Sequence, residues 1–88
     1  MAWIIKYDDK ALRSLKRLDR QIAQRLLDTL EQKIARSDNP RIDGKSLSGR
    51  LAEYWRYRIG DYRVICLIQD EVLTVFVVEI GHRGDVYR

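Results

Sequence analysis

The sequence predicts an α+β fold of two layers, in the order β-α-α-β-β-β. A first strand and a helical hairpin should pack on an antiparallel sheet of about four strands. Two observations predict this. Apolar residues recur at helical spacing through the first part of the chain, and period-two alternation replaces that spacing from Tyr54 onward. The 88 residues suit one compact domain, 1–88.

Trp3 to Tyr7 is aromatic and β-branched with no breaker, which predicts a short strand. Asp8 or Asp9 then offers an N-cap. Behind it Ala11, Leu12, Leu15 and Leu18 recur at helical spacing, with Lys and Arg between them. Asp19 is placed to cap a second helix, whose apolar stripe is Ile22, Leu26, Leu30 and Ile34 with Ala23 and Leu27 beside it. The pair should have one apolar face and one basic, polar face. Ser37-Asp38-Asn39-Pro40 ends the helical pattern, because Pro40 biases Asn39 away from helix. A loop follows to about Gly49, with Leu47 as its apolar anchor.

Three strands complete the pattern. In Tyr54 to Ile59, Trp55, Tyr57 and Ile59 fall on one face and Tyr54, Arg56 and Arg58 on the other. Gly60-Asp61 is a tight turn. Tyr62 to Gln69 puts Tyr62, Val64, Cys66 and Ile68 on one face and Arg63, Ile65 and Leu67 on the other. After a turn at Asp70-Glu71, Val72 to Ile80 is nearly all apolar, as in a central strand buried on both faces. The first strand should join this meander, being too short to stand alone.

The net charge is +4, from 17 Lys+Arg against 13 Asp+Glu. That excess is too modest to prove a nucleic-acid partner, but its distribution is informative. From Gly49 to Arg88 the basic residues are Arg and one His, with no Lys. Arg presents the planar donor fork that holds phosphate, although a GC-rich genome would favour Arg as well. One cysteine, Cys66, excludes an internal disulfide and a zinc cluster, and its apolar surroundings make it a small core residue. No metal or cofactor is expected. No apolar run approaches the roughly 18 residues of a membrane helix, and the N-terminus lacks the features of a secretory signal. A cytoplasmic protein is the default expectation.

If Trp55, Tyr57, Tyr62 and Val64 face the helices, Arg56, Arg58 and Arg63 project together from the uncovered face. Three guanidinium groups repel one another, and an anionic ligand lowers the energy of such a cluster. The tail Gly81-His82-Arg83-Gly84-Asp85-Val86-Tyr87-Arg88 follows the central strand. His titrates near neutral pH, so His82, Arg83 and Tyr87 add groups for proton and phosphate work. Each alone is ordinary: a basic strand face is often a solvated one, a terminal His a surface residue, a Tyr a packed aromatic. Together they make RNA cleavage plausible.

Tyr54-Trp55-Arg56-Tyr57-Arg58-Ile59-Gly60-Asp61-Tyr62-Arg63-Val64-Ile65 resembles the signature stretch of the RelE/ParE toxin superfamily. Gly81-His82-Arg83-Gly84-Asp85-Val86-Tyr87 is similar to the tail of its RelE branch. The loop from Asn39-Pro40 to Leu47-Ser48-Gly49 and the amphipathic helix pair extend the likeness over nearly the whole chain.

The resemblance implies an endoribonuclease toxin that enters the A site of the 70S ribosome and cleaves mRNA there without a metal. The ribose 2′-hydroxyl attacks its neighbouring phosphate and leaves a 2′,3′-cyclic phosphate and a 5′-hydroxyl. Family site residues match Arg56, Arg58, Arg63, Arg83 and Tyr87. The catalytic candidates are Arg63, Arg83, Tyr87 and His82, and the RNA-binding candidates are Arg56, Arg58, Arg50 and Lys45. Tyr87 is expected as general base, its ordinary pKa near 10 needing depression by neighbouring Arg. His82 is the candidate general acid, although in an extended tail it points away from Arg83. A RelB-like antitoxin should neutralise the toxin in a hetero-oligomer. Two other readings share the basic hairpin: a ParE-like inhibitor of DNA gyrase without nuclease activity, and a non-catalytic RNA-binding module. The family pattern is not matched everywhere, since Gly84 stands where many members carry a further Arg or polar residue.

Overall fold

The computed structural model describes residues 2–82. Strand β1 (Ile4–Tyr7) leads into helix α1 (Asp9–Arg17) and helix α2 (Arg20–Asp28), which continues into a π-helical turn, Thr29–Ile34. A two-residue strand β2 (Lys45–Ser46) and a 3-10 turn (Gly49–Leu51) follow. Then come β3 (Trp55–Ile59), β4 (Tyr62–Gln69) and β5 (Thr74–His82), with a 3-10 turn at Asp70–Val72 between the last two.

Both helices begin where the sequence places their caps. The Asp8 carboxylate accepts from the Lys10 amide at 3.2 Å, and the Asp19 carboxylate from the Gln21 amide at 3.1 Å. The stripe Leu26, Leu30, Ile34 advances four residues at each step, which drifts around a helix of 3.6 residues per turn. The π-helical turn winds more slowly, closed by the Ala35 amide donating to the Leu30 carbonyl at 2.9 Å. Leu30 and Ile34 thereby stay buried in line with Leu26.

The sheet has five strands in the order β1-β5-β4-β3-β2. The meander β3-β4-β5 is antiparallel, whereas β1 pairs with β5 in parallel, Ile4 opposite Thr74 and Tyr7 opposite Val77. The helical hairpin carries the chain from β1 across to the β2–β3 side of the sheet, and the antiparallel meander then returns β5 beside β1 in the same direction. The sheet is therefore mixed, with one strand more than the four expected. The added strand is β2, inside the stretch read from sequence as loop. Lys45 and Ser46 carry no strand signal of their own and become a strand by pairing with Arg56 and Trp55. Strand β5 spans Thr74–His82 rather than Val72 to Ile80, because Asp70–Val72 coils and Leu73 takes a left-handed φ of 46° to close the turn.

One face of the sheet meets the helices. Trp3, Ala11, Leu15, Leu26, Leu30 and Ile34 pack there against Tyr57, Val64, Cys66, Val75, Val77 and Ile80. Burying each Leu, Ile or Val contributes about 1.5–3 kcal/mol. Cys66 is inside this core, where burial pushes its thiol pKa up. The other face is open. Phe76 and Val78 on β5 are only partly buried, so the apolar run there does not report burial on both sides. No helix among the described residues is long and apolar enough to cross a membrane.

Candidate nucleic-acid interface

The open face acquires its charge from strand register. Trp55 and Tyr57 turn into the core, so Arg56 and Arg58 turn outward. Arg56 lies between Lys45 on β2 and Ile65 on β4. In the next row, Arg58 stands opposite Arg63, and Arg63 opposite Gly81. Gly81 has no side chain, which leaves the floor beside Arg63 clear. The Gly60-Asp61 turn keeps this register tight, with Gly60 at a φ of 59° that favours glycine.

Two basic grooves share this floor. One, of about 440 Å³, is lined by Lys45, Ser46, Leu47, Ser48, Leu51, Arg56 and Arg63. The other, of about 240 Å³, is lined by Ile42, Asp43, Gly44, Lys45, Arg56 and Arg58. Lys45 and Arg56 form the wall between them. Lys45, Arg56 and Arg58 join no ion pair among the described residues. Repulsion among such cations is relieved by an anion. A phosphate chain running over β3 fits this requirement.

The loop that carries Lys45 is held against the sheet by several contacts. The Tyr57 hydroxyl, buried beneath it, donates to the Pro40 carbonyl at 2.6 Å, and burial pushes the phenol pKa up. Arg41 makes a bidentate pair with Asp70 at 2.9 and 2.8 Å. Its guanidinium also lies 5.9 Å from the Trp55 ring centroid. Gly44 passes so close to β3 that a Cβ there would sit 2.4 Å from Trp55 Nε1 and 2.7 Å from the Arg56 carbonyl. Only glycine brings Lys45 alongside Arg56 without moving the strand.

Beside the basic floor is an apolar groove of about 290 Å³, lined by Leu47, Leu51, Tyr54, Ile65 and Val78. Lys10 and Glu79 pair at 2.9 Å on its rim. A β-bulge makes it. Ile65 is opposite Glu79 but Cys66 is opposite Val77, so Val78 is the extra residue. Val78 and Glu79 therefore both border the groove. Sequence reading identified Leu47 as an anchor but missed the groove, because a bulge breaks the alternation from which faces are read.

The other expected site residues separate. Arg50 is exposed on the 3-10 turn and lines neither basic groove. His82 is directly opposite Tyr62, on the helix side of the sheet, with ring centroids 5.3 Å apart and planes at 88°. It therefore faces away from Arg56, Arg58 and Arg63. Arg83 and Tyr87 lie outside the described residues.

The sequence profile of the family described as the ParE toxin of type II toxin-antitoxin system, parDE, matches residues 5–87. Toxin RelG of Mycobacterium tuberculosis is 31% identical over 88 residues, which are 100% of this chain and 99% of that one. The mRNA interferase toxin RelE of Escherichia coli is 29% identical over 90 residues, covering 99% and 92% of the two chains. Among solved structures, the toxin-antitoxin complex RelBE2 from Mycobacterium tuberculosis contains a chain of similar shape. Its TM-score is 0.87 at 28% identity, covering 97% of this chain and 95% of that one. These likenesses define a class, the toxins of type II toxin–antitoxin systems. Within that class, the chain belongs to the RelE/ParE superfamily.

Proposed function

We propose that the protein is a ribosome-dependent endoribonuclease that cleaves mRNA in the ribosomal A site. The observation that carries this is the row of Lys45, Arg56, Arg58 and Arg63 on the open sheet face, bordered by two grooves. The likeness to a toxin named mRNA interferase supports it. In the proposed reaction the 2′-oxygen forms a bond to phosphorus as the bond to the 5′-oxygen breaks. A base takes the 2′-proton and an acid returns one to the leaving oxygen. Charge accumulates on the phosphorane, where Arg63 and Arg83 donate hydrogen bonds. Arg56, Arg58 and Lys45 hold the phosphates on either side, and Arg50 meets the strand beyond the grooves. Tyr87 is the proposed base. His82, facing the helical layer, competes with it as a proton-transfer group only if the chain beyond β5 brings the RNA around the sheet edge.

The test is incubation of the purified protein with 70S ribosomes carrying a labelled mRNA. Cleavage within the A-site codon, leaving a 2′,3′-cyclic phosphate, is the expected result. Intact mRNA under conditions that support translation would refute it.

A second reading has support from the description of the matching family, which is that of a ParE toxin. A gyrase inhibitor would stop DNA supercoiling and leave ribosome-bound mRNA whole, so the two assays together decide. Either activity would act in the cytoplasm and require a neutralising partner. The proposed partner is a RelB-like antitoxin, in keeping with the solved toxin-antitoxin complex of similar shape. Its apolar side chains would enter the groove of Leu47, Leu51, Tyr54, Ile65 and Val78, and its acidic ones would meet the Arg row.

A further inference from the structure

Glu79 is an acid on a basic floor. It belongs to the same cross-strand row as Arg56, with Ile65 between them, and the next row is Arg58, Arg63 and Gly81. A regular strand would send Val78 and Glu79 to opposite faces. The bulge puts both at the apolar groove, and bulges beside functional sites re-aim a side chain in this way. Phosphate binding does not account for the carboxylate, which repels a phosphate held on Arg56 or Arg63. Fold stability accounts for little of it, because the ion pair with Lys10 is solvent-screened.

The surroundings of Glu79 match a different part of a nucleotide. The groove of Leu47, Leu51, Tyr54, Ile65 and Val78 is apolar, and the Lys10–Glu79 couple is its polar rim. Apolar walls with a few fixed polar groups suit a flat ring that carries hydrogen-bonding atoms on its edge. Leu47 and Leu51 also wall the basic groove of Lys45, Arg56 and Arg63, so the two grooves are continuous. Arg63 and Ile65 are two residues apart on β4, roughly 7 Å, a step comparable to that from a nucleotide's phosphate to its base. Of the rim couple the carboxylate is the more sheltered, 31% exposed against 59% for Lys10. Lys10 donates to its Oε1 at 2.9 Å, and Oε2 accepts no hydrogen bond among the described residues.

We infer that this groove is a nucleobase subsite in which Tyr54 and the apolar walls cover the ring and Glu79 selects the base by accepting a hydrogen bond from an exocyclic amino group. This rests on the proposed ribosome-dependent cleavage and adds a specificity-determining residue to it. A carboxylate only accepts. Adenine, cytosine and guanine each carry an amino group to offer it, whereas uracil has none and turns carbonyl oxygens toward it. The antitoxin's apolar side chains are proposed to enter the same groove, so base and antitoxin exclude one another there.

The experiment is single-turnover cleavage by the full chain on 70S ribosomes whose A-site codon carries adenosine, uridine or purine riboside at each position in turn. Purine riboside is adenosine without its amino group, so the contact is removed without touching the protein. At one codon position the wild type is expected to cut the adenosine codon about ten- to a hundredfold faster than the other two, the range for a hydrogen bond to a charged group. Glu79→Gln, whose amide donates as well as accepts, should bring the three codons within a few-fold of one another. Glu79→Thr, a strand former without a carboxylate, should do the same. A wild type that cuts all three codons alike at every position would overturn the inference. So would variants that keep the full preference for adenosine, or that slow all three codons equally. A change confined to binding of a co-encoded antitoxin would also overturn it and leave the groove a protein interface. If the wild-type chain cuts no ribosome-bound mRNA at all, the ribosome-dependent activity itself is wrong and this inference goes with it.

Discussion

Arg58 and Arg63 stand directly opposite one another across the β3–β4 ladder, both on the open face of the sheet. Like charges facing each other in an antiparallel pair are destabilising, by roughly 0.2–1 kcal/mol. A fold selected for stability alone would place an apolar or oppositely charged residue at one of the two positions. Arg58→Thr is therefore expected to raise the unfolding free energy of the free protein by about 0.2–1 kcal/mol, seen as a higher urea midpoint. The same variant should lose ten- to a hundredfold of ribosome-dependent cleavage, the worth of roughly 1.5–3 kcal/mol in a charged hydrogen bond. Equilibrium unfolding and single-turnover cleavage on one preparation check both arms. A destabilised Arg58→Thr would show that the guanidinium supports the fold.

Tyr57 tests the tether beneath the basic loop. Its hydroxyl is the donor that the buried Pro40 carbonyl accepts from at 2.6 Å. Tyr57→Phe keeps the ring and leaves that carbonyl without this donor, which costs about 1–3 kcal/mol. A urea titration should show the loss, and cleavage should fall as Lys45 leaves its place beside Arg56. Native-like stability in Tyr57→Phe would mean that solvent replaces the hydroxyl and the loop is held by its other ties.

The open-face Arg row was legible in the sequence because β3 and β4 alternate without interruption across a glycine turn. The helical hairpin was legible through its caps, Asp8 and Asp19. What was not legible comes from pairing and from departures in backbone winding. Lys45 and Ser46 become a strand only because the edge of β3 accepts them. The direction of β1 is set by a crossover that local pattern does not encode. The π-helical turn and the bulge at Val78 each add a residue against the expected period, and the bulge sets Val78 and Glu79 side by side at the apolar groove. Arg41 gave no signal at all, since its partners Asp70 and Trp55 are distant in sequence.

The Arg41–Asp70 pair makes a pH prediction. The Arg41 guanidinium beside it holds the Asp70 carboxyl below the usual carboxylate range. A lowered carboxylate pKa contributes stability that is present above the unfolded value, near 3.9, and lost as pH falls through the folded value. Wild type should thus exceed Asp70→Asn at neutral pH, by a small margin because the pair is solvent-screened. The margin should close in acid. Urea midpoints for both proteins from neutral pH down to about pH 2.5 test this, and a margin independent of pH would assign the effect of Asn to packing.

Cys66 supplies a check on the core. It is fully buried between β3 and β5, and desolvation raises its thiol pKa. Only the thiolate reacts readily. The native protein should therefore resist alkylation by iodoacetamide at pH 8, and the urea-unfolded protein should react at the rate of an ordinary thiol. Fast labelling without denaturant would contradict the packing described for β4.

His82 is the residue on which sequence and structure separate most. By type it is the natural proton-transfer candidate in the chain. By position it is opposite Tyr62 on the helix side, its ring edge-on to the Tyr ring at 5.3 Å. The reacting phosphate, if held by Arg58 and Arg63, is on the other side of the sheet. His82→Ala is accordingly expected to keep its single-turnover cleavage rate within a few-fold of wild type. It should lose about 0.5–1.5 kcal/mol of stability with the ring contact. Tyr87→Phe, which removes the proposed base, should lose about 10²–10⁴-fold in rate with stability unchanged. The two variants thus separate a packing role from a chemical one. A thousandfold loss in His82→Ala, with Tyr87→Phe near wild type, would move the proton transfer to His82 and require the RNA to reach the helix side of β5.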